Sequence, residues 1–565
     1  MDIQNKKILI LGGWGLVGSA IARRIAEGKP GQVILTSLQK QEAIDICQKL
    51  NKELKKKNLF IPWWGNIFVR REFKDVDRSV YLNNSKHRRK VIGDTVDELS
   101  PKMLRESSIY CLLSEFKPDI IIDCINTATA IAYQNIYKSY SDILKITDNK
   151  KNRDYDELLE SVEKMMCSSY IPQLIRHVQL LYNSMIKFDT KYYFKVGTSG
   201  TGGMGLNIPF THSEEKPSRV LLSKSSIAGA QTLLLFLMAR TPKGPMIKEV
   251  KPTASIAWKK ITYGEIRKKS KPIELFDYSM SDAVNLGGTF KLDEKKKRKK
   301  RGTLKTVYID TGENGIFSRG EFEAITTNGQ MEFVTPEEIA ENIYRELIGG
   351  NTGNDVISAL DSSAMEPSYR AGFLQHSAVA KIKELELKNK TWSIAFEMLG
   401  PPKLSKLLYE AHLIKLCYKN FNNFIKDSTK NITAKIFTLL AKDAKLRSEI
   451  ISLGLPILFP DGKKILRGKD VIIPAIEQGE EIKVTSANAE KWAHDGWVDL
   501  REANWKSWKH RFVNIMKTTE KNFDSSFSSR ESFNHDYWDN YEDINIGKIV
   551  GWIFINEEKG LRMKG

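Results

Sequence analysis

The feature that most constrains this chain is a glycine-rich turn set between an apolar run and a helical pattern. Lys7-Ile8-Leu9-Ile10-Leu11 reads as a short buried strand, and Gly12-Gly13-Trp14-Gly15-Leu16-Val17-Gly18 follows it directly. Ile21 and Ile25 then recur with small alanines at helical spacing over residues 19–26, and Gln32-Val33-Ile34-Leu35 reads as a second strand. Strand, tight turn, helix and strand in that order make a βαβ unit. Gly12 permits the turn, Gly15 lets backbone approach a ligand where a Cβ would stand, and Gly18 lets the helix pack close to the strand. Unpaired N–H groups and the helix dipole at that point stabilise anionic charge, so residues Gly12, Gly13, Trp14, Gly15, Leu16, Val17 and Gly18 suit the pyrophosphate of a dinucleotide.

Further apolar runs at residues 59–61, 119–125, 192–196 and 246–250 read as strands with long helical patterns between them. Such alternation predicts an α/β fold, a doubly wound parallel sheet of the Rossmann type covered by helices on both faces. The charge-rich stretch at about 70–115 exceeds a minimal crossover and reads as a helical insertion, and residues 290–307 read as two strands flanking a basic run. Thr335-Pro336-Glu337-Glu338 opens a helix with proline and acids in its first turn. Beyond Ala359 the pattern changes to helices at 379–388, 404–424 and 431–451, then to a small strand section around the turn Pro460-Asp461-Gly462. Residues 518–540 read as a mobile loop before a last strand at 549–555. The expected division is therefore a dinucleotide-binding domain over 1–358 and an additional, mostly helical α+β region over 359–565.

The net charge of +19 suggests an anionic partner until its distribution is considered: residues 295–301 alone contribute seven lysines and arginines. A like-charged block this dense stays solvated, and no aromatic residue interleaves it to stack bases, so nucleic acid is not expected as a partner. No stretch is read as the ~20 apolar residues a membrane span needs, so no membrane partner is expected either. The five cysteines have no C-x-x-C spacing, which suggests neither a disulfide framework nor a zinc site, and a reducing cytoplasm fits best.

An NAD-preferring site places Asp or Glu at the end of the second strand to accept from ribose hydroxyls. This chain has Thr36-Ser37-Leu38-Gln39-Lys40 there. With no carboxylate to repel a 2′-phosphate, and with Lys40 and Arg23 or Arg24 as cationic partners, NADP(H) is the expected cofactor, NAD remaining open.

The spacing Gly12-x-x-Gly15-x-x-Gly18 resembles the extended short-chain dehydrogenase/reductase family, also called the NAD-dependent epimerase/dehydratase family. Gly65-Asn66-Ile67 is similar to that family's Gly-Asp-Ile element near adenine, with Asn in place of Asp. Asp123-Cys124-Ile125-Asn126-Thr127-Ala128 sits where the fourth strand reaches the nicotinamide ribose, and Gly197-Thr198-Ser199 resembles the end of the fifth strand, which carries the catalytic hydroxyl. Ile208-Pro209-Phe210-Thr211 and Ser223-Lys224 resemble the approach to the catalytic helix, Lys251-Pro252 the element after the sixth strand, and residues 331–340 the late strand and helix. The resemblance covers roughly residues 5–350 and leaves the last 200 or so outside it. It implies cofactor contacts from Asn66, Ile67, Asn126, Thr127, Ala128, Lys224 and Pro252 beside the glycine loop, Thr36, Ser37 and Lys40. It also implies catalytic roles for Thr198, Ser199 and Lys224.

One position departs from the pattern. The family's catalytic Tyr, four residues before the Lys, is Val220 here, and a valine transfers no proton. Tyr133, Tyr137 and Tyr140 follow the fourth strand, with Tyr133 and Tyr137 at i, i+4 spacing, and His212 precedes the catalytic helix; Tyr133 and His212 are the foremost replacements. The glycine-rich stretch 200–205 reads either as an ordinary loop or as a lid beside the nicotinamide. Two readings follow. The chain is an NAD(P)-dependent oxidoreductase, epimerase or dehydratase acting on a small molecule with a displaced acid, compatible with a homo-oligomer. Alternatively it is a catalytically silent NADP(H)-binding sensor or scaffold.

Overall fold

The computed structural model describes residues 2–134, 136–148, 154–197, 219–241, 244–252, 256–268, 270–292, 299–312, 315–327, 334–349, 364–365, 369–397, 401–476, 480–519 and 534–557. The chain forms two compact units. Unit 1 comprises residues 1–203, 216–257 and 333–372, and unit 2 comprises 204–215, 258–332 and 373–565. The expected single boundary near residue 358 differs from this: residues 258–332 leave the first unit for the second, and the chain then returns to complete the first.

Unit 1 is built on β1 (Lys7–Leu11), β2 (Gln32–Ser37), β3 (Phe60–Trp64), β4 (Ile120–Asp123), β5 (Tyr192–Val196) and β6 (Met246–Pro252). All pair in parallel in the order β3-β2-β1-β4-β5-β6, with a two-residue strand Ala364–Met365 beyond β6. This is the doubly wound Rossmann arrangement, whose strand order reverses between β1 and β4. The continuous apolar runs follow from burial on both faces: Ile8 and Ile10 enter one core, Leu9 and Leu11 the other.

Helix α1 (Leu16–Ala26) covers the first face together with helix Pro336–Ile348, whose Ile339, Ile343 and Leu347 share a core with Ile21 and Ile25. The Pro336–Ile348 helix begins in the expected way. Thr335 Oγ1 accepts from Glu338 N–H (3.2 Å) while Glu338 Oε2 accepts from Thr335 N–H (2.8 Å), a reciprocal cap. The insertion after β3 is helical, including Arg78–Leu82, Ser85–Val96, Pro101–Glu106 and Ser108–Phe116. On the second face, helices Thr127–Ala132, Tyr170–Lys187 and Arg219–Ala239 pack on the sheet. Within the last of these, Leu222–Ala239 is long and apolar enough to cross a membrane by length and composition, which corrects the expectation of no such stretch. Ile227, Ala228, Leu235 and Met238 of that helix lie in the core of unit 1.

Unit 2 mixes small sheets with helices. Lys260–Glu265, Lys305–Asp310 and Ile316–Phe317 form one antiparallel sheet, and Val284–Asn285, Lys464–Leu466, Ile457–Leu458 and Val498–Asp499 form a mixed one, in which Ile457–Leu458 and Val498–Asp499 run parallel. The turn at Pro460-Asp461-Gly462 joins Ile457–Leu458 to Lys464–Leu466 as the sequence predicts. Strands do lie on either side of the basic run, but they do not pair with each other. Thr289–Lys291 pairs with Glu481–Lys483, and Lys299–Thr303 pairs with Glu274–Asp277. Lys299, Lys300 and Arg301 therefore belong to a strand rather than to a free loop, with Lys300 and Arg301 facing Glu274 (2.5 Å) and Asp277 (3.1 Å).

Helix Pro402–Cys417 is buried from Lys403 to Ile414, and its fully buried Glu410 accepts from Asp499 N–H (2.9 Å) and Trp508 Nε1 (2.7 Å). The stretch expected as a last strand, 549–555, is instead part of helix Ile546–Asn556, capped by Asn545. Its branched residues mimic a strand, but Gly547 and Gly551 at i, i+4 decide for helix. A Cβ on Gly547 would stand 2.2 Å from Glu323 Cβ, and one on Gly551 would stand 2.5 Å from Thr327 Oγ1, so this face is built to meet helix Arg319–Ile325 without side chains. Most of the loop expected at 518–540, residues 520–533, lies outside the described residues.

Candidate functional site

The glycine loop occupies the C-terminal edge of the sheet beside the point where strand order reverses. Gly12 adopts φ +77°, and its N–H donates to Thr36 Oγ1 (3.1 Å) while Gly13 N–H donates to the Thr36 carbonyl (2.8 Å). Thr36 is buried, so its hydroxyl clamps the turn. Gly15 caps α1 at φ −62° with no side-chain cap, and no acid lies in the first turn. The first N–H groups of α1 thus have neither intrahelical nor side-chain acceptors, and they point toward exposed Gly15. A Cβ on Gly18 would stand 2.4 Å from Gly12 O, whereas one on Gly15 would meet nothing closer than Gly12 O at 3.4 Å. Gly18 therefore serves packing, and Gly15 leaves open the space a phosphate needs. Trp14 and Val17, half-buried, brace the loop against the core.

At the end of β2, Ser37 Oγ donates to Glu42 Oε2 (2.5 Å). The sequence showed no carboxylate at the strand end; helix Lys40–Glu53 brings one back to it. Lys40 is exposed, its Nζ 5.0 Å from the Trp64 ring, and Lys74 lies 5.4 Å from the Trp63 and Trp64 rings. Arg23 and Arg24, expected as alternative cationic partners, are engaged elsewhere. Arg23 pairs with Glu53 (2.7 Å), and Arg24 pairs with Glu341 (2.5 Å) and Glu27 (2.9 Å) while lying over the Tyr344 ring. They sit in the last turn of α1, away from the loop at its start. Asn66 Oδ1 accepts from Phe68 N–H (2.9 Å), and the Ile67 side chain is in the core.

The ends of β4, β5 and β6 hold a feature that the sequence reading missed. Register places Asp123, Lys195 and Glu249 side by side on one face of three adjacent strands. All three are buried, and Lys195 Nζ lies 3.0 Å from Asp123 Oδ2. Asp123 also accepts from Ile125 N–H (2.9 Å) and Tyr193 Oη (2.7 Å); burial, and then the negative charge of Asp123, push the Tyr193 phenol well up from its ordinary range. Lys195 Nζ further donates to the Ile125 carbonyl (2.6 Å) and Thr127 Oγ1 (3.3 Å). One ammonium thus fixes the loop after β4, where Asn126 caps helix Thr127–Ala132 by accepting from Thr129 N–H (3.0 Å) and Thr127 and Ala128 are buried. The third charge lies against Gly197: a Cβ there would stand 2.0 Å from Glu249 Oε1, so a side chain at 197 would require the Glu249 carboxylate to shift. Nearby, His177 lies against Phe68 with both ring nitrogens unpartnered, and burial pushes its pKa down to about 4. The sequence signal for the row was a lone charge in the apolar patterns of β4 and β5; in β6 Glu249 is masked by its neighbours Lys248 and Lys251.

Pro252 ends β6 in register with Met365. Thr198, Ser199, His212 and the stretch 200–205 lie outside the described residues. Helix Arg219–Ala239 presents Val220 and Lys224, both half-buried, one turn apart. Tyr133 is 65% exposed and Tyr140 50% exposed. The expected shared face of Tyr133 and Tyr137 is not formed, because helix Thr127–Ala132 ends at Tyr133 and a new helix, Ile136–Asp148, carries Tyr137. Tyr137 is half-buried, with its Oη 3.1 Å from Ser223 Oγ.

The family of the beta-methylindole-3-pyruvate reductase C-terminal domain matches residues 275–558, just over half of the 565, beginning well after the glycine loop. No curated protein matches the chain. Among solved structures, Pen from Bacillus thuringiensis is 12% identical with a TM-score of 0.21, the match covering 45% of this chain and 52% of that one. A short-chain dehydrogenase from Sphingobium yanoikuyae in complex with NADPH is 13% identical with a TM-score of 0.23, covering 44% and 71%. UDP-glucose 4-epimerase from Thermotoga maritima, with UDP-glucose, is 13% identical with a TM-score of 0.22, covering 44% and 54%. The chain thus spans about half the length of the Bacillus and Thermotoga proteins. Likenesses this low say nothing about function, and the fold assignment rests on the strand order itself.

Proposed function

The chain belongs to the family of the beta-methylindole-3-pyruvate reductase C-terminal domain, and from that premise we propose that it is a nicotinamide-dinucleotide-dependent reductase of a 2-oxo acid bearing an aromatic group. The observation that carries the cofactor half of this reading is the uncapped start of α1 facing Gly15, at the reversal of strand order, where a Cβ would fill the cradle. The residues present fit a dinucleotide. Lys40 beside Trp64 favours the 2′-phosphate of NADP(H), opposed by Glu42 at Ser37, and NADP(H) is the preferred partner on this reading.

When bound, the cofactor supplies a hydride. The protein's share is positional and electrostatic. The first N–H groups of α1 hold pyrophosphate, Thr36 keeps the loop in shape, and Lys195 fixes the β4 loop that would meet the nicotinamide ribose. Lys224 and the hydroxyls of Thr198 and Ser199 would orient the ribose and the substrate carbonyl. Membership of a family named for a reductase speaks for reduction over epimerisation or dehydration. Exposed Leu222, Leu233 and Leu237 on helix Arg219–Ala239 offer an apolar surface for self-association, and five free cysteines suit a reducing cytoplasm.

The test is NADPH consumption at 340 nm with indole-3-pyruvate and a panel of other 2-oxo acids. Turnover is expected. Tight NADPH binding with no turnover on any carbonyl compound would favour the second reading, a cofactor sensor or scaffold, for which Val220 is the supporting observation.

A further inference from the structure

Reducing a carbonyl needs a proton at oxygen as well as a hydride at carbon, and Val220 can give none. Where that residue's helix begins, a phenol arrives from another helix. Tyr137 Oη lies 3.1 Å from Ser223 Oγ, and Ser223 is three residues after Val220 and directly before Lys224. Three-residue spacing puts Ser223 on the face Val220 occupies, so the hydroxyl missing from position 220 is met on the same face by one from helix Ile136–Asp148.

That phenol is held in place. Tyr170 Oη accepts from Ile136 N–H (3.1 Å) and donates to the Ala132 carbonyl (2.9 Å), pinning the backbone one residue before Tyr137. The Arg219 guanidinium lies 5.1 Å from the Tyr137 ring centroid. Ser223 Oγ is also 2.8 Å from the Arg219 carbonyl. A serine hydroxyl has one proton; while Ser223 donates it to that carbonyl, Tyr137 is the donor of the pair and Ser223 the acceptor. Turning the Ser223 proton toward Tyr137 reverses the pair and leaves the phenol proton free to go elsewhere.

We propose that Tyr137 is the displaced proton donor of this reductase, with Ser223 as the group that turns its hydroxyl to support it. This rests on the reductase reading. The O–H bond of Tyr137 breaks and a new O–H bond forms on the substrate's carbonyl oxygen, while the carbonyl carbon gains its hydrogen as hydride from reduced nicotinamide, which is oxidised. The phenolate accepts its hydrogen bond from Ser223, faces the Arg219 cation, and regains a proton from solvent after the alcohol leaves. Among the described residues, neither Tyr133, largely exposed, nor Tyr140, half-exposed, has a hydrogen bond to helix Arg219–Ala239 such as Tyr137 makes.

The experiment uses the full chain labelled with 13Cζ-tyrosine. The resonance absent from Tyr137→Phe identifies Tyr137, and it should shift when indole-3-pyruvate is added without cofactor. In turnover, Tyr137→Phe should lower NADPH consumption by at least ~100-fold and Ser223→Ala by about 10-fold, with NADPH affinity unchanged in both. An active parent with an undiminished Tyr137→Phe variant, or a Tyr137 resonance indifferent to the oxo acid, would overturn the assignment and leave the reductase reading standing. A parent that consumes no NADPH with any oxo acid would overturn that reading and the role of Tyr137 with it.

Discussion

Substituting Gly15 and Gly18 separately by alanine distinguishes a ligand cradle from a mere packing turn. At Gly18 the new methyl would stand 2.4 Å from Gly12 O and 3.0 Å from Gly12 C and Gly13 Cα, all backbone atoms without rotamers to yield. The loop must open by about 1 Å, an overpacking that costs ~1–3 kcal/mol. For a unit of this size that lowers the thermal midpoint by roughly 2–5 °C. At Gly15, φ is −62° and the nearest atom lies at ordinary contact distance, 3.4 Å. Alanine there gains about 0.4–1 kcal/mol from a less flexible unfolded chain, and loses about as much as a poorer N-cap. The midpoint of Gly15→Ala should therefore stay within about 2 °C of the parent. Its methyl nevertheless stands where the pyrophosphate would approach, and a displacement costing ~1–3 kcal/mol weakens binding by roughly 10–100-fold. Scanning calorimetry without ligand and NADPH fluorescence titration give the two numbers. Gly18→Ala should lose both stability and affinity, and Gly15→Ala affinity alone. A Gly15→Ala protein that binds NADPH like the parent would refute the placement of the phosphates.

Other expectations concern the neighbouring groups. Lys195→Met strips the buried Asp123 of its ion pair and should destabilise unit 1 by about 3–5 kcal/mol, read as accelerated hydrogen exchange in β4 and β5; unchanged exchange would show the pair to be dispensable. Lys40→Ala should weaken NADPH binding by about 10-fold while sparing NADH, with the difference fading near ~0.5 M salt; equal loss for both cofactors would remove Lys40 from 2′-phosphate recognition. His177, driven down to about 4 by burial, takes up a proton in the unfolded chain before the folded one. Its neutral burial therefore supports folding fully above pH ~6.5 and loses up to roughly 3 kcal/mol as pH falls toward 4. Denaturant titrations from pH 7 to 4 should show that slope in the parent and a flatter one in His177→Leu; identical slopes would place the acid sensitivity elsewhere.

Local pattern was enough wherever one residue type answers to one backbone need. Gly12 at positive φ, Gly18 against the Gly12 carbonyl and the cap at Thr335 were readable because each requirement is met within a few residues. The row Asp123, Lys195 and Glu249 was not, since a charge in a strand looks solvated until register sets its partner beside it. Helix Ile546–Asn556 was misread for a related reason: Ile549, Val550, Ile553 and Ile555 favour a strand locally, while the fit of Gly547 and Gly551 against Glu323 and Thr327, more than 200 residues away, prevails. Tyr133 and Tyr137 looked like one helix face because nothing in their spacing announces the break at Tyr133. The link between Tyr137 and Ser223 spans 86 residues and belongs to tertiary structure alone.

The pairing of Lys291 with Glu481 across 190 residues sets a timetable for synthesis. At ~5–20 residues per second, strand Thr289–Lys291 waits roughly 10–40 s for Glu481–Lys483 to emerge, and Val284–Asn285 waits nearly as long for Lys464–Leu466. Through that interval the ribosome holds a finished six-strand sheet and, behind it, bare strand edges whose mates have yet to be translated. A nascent chain arrested near residue 350 should be the species that chaperones engage, and slowing translation downstream of it should lower the yield of folded protein.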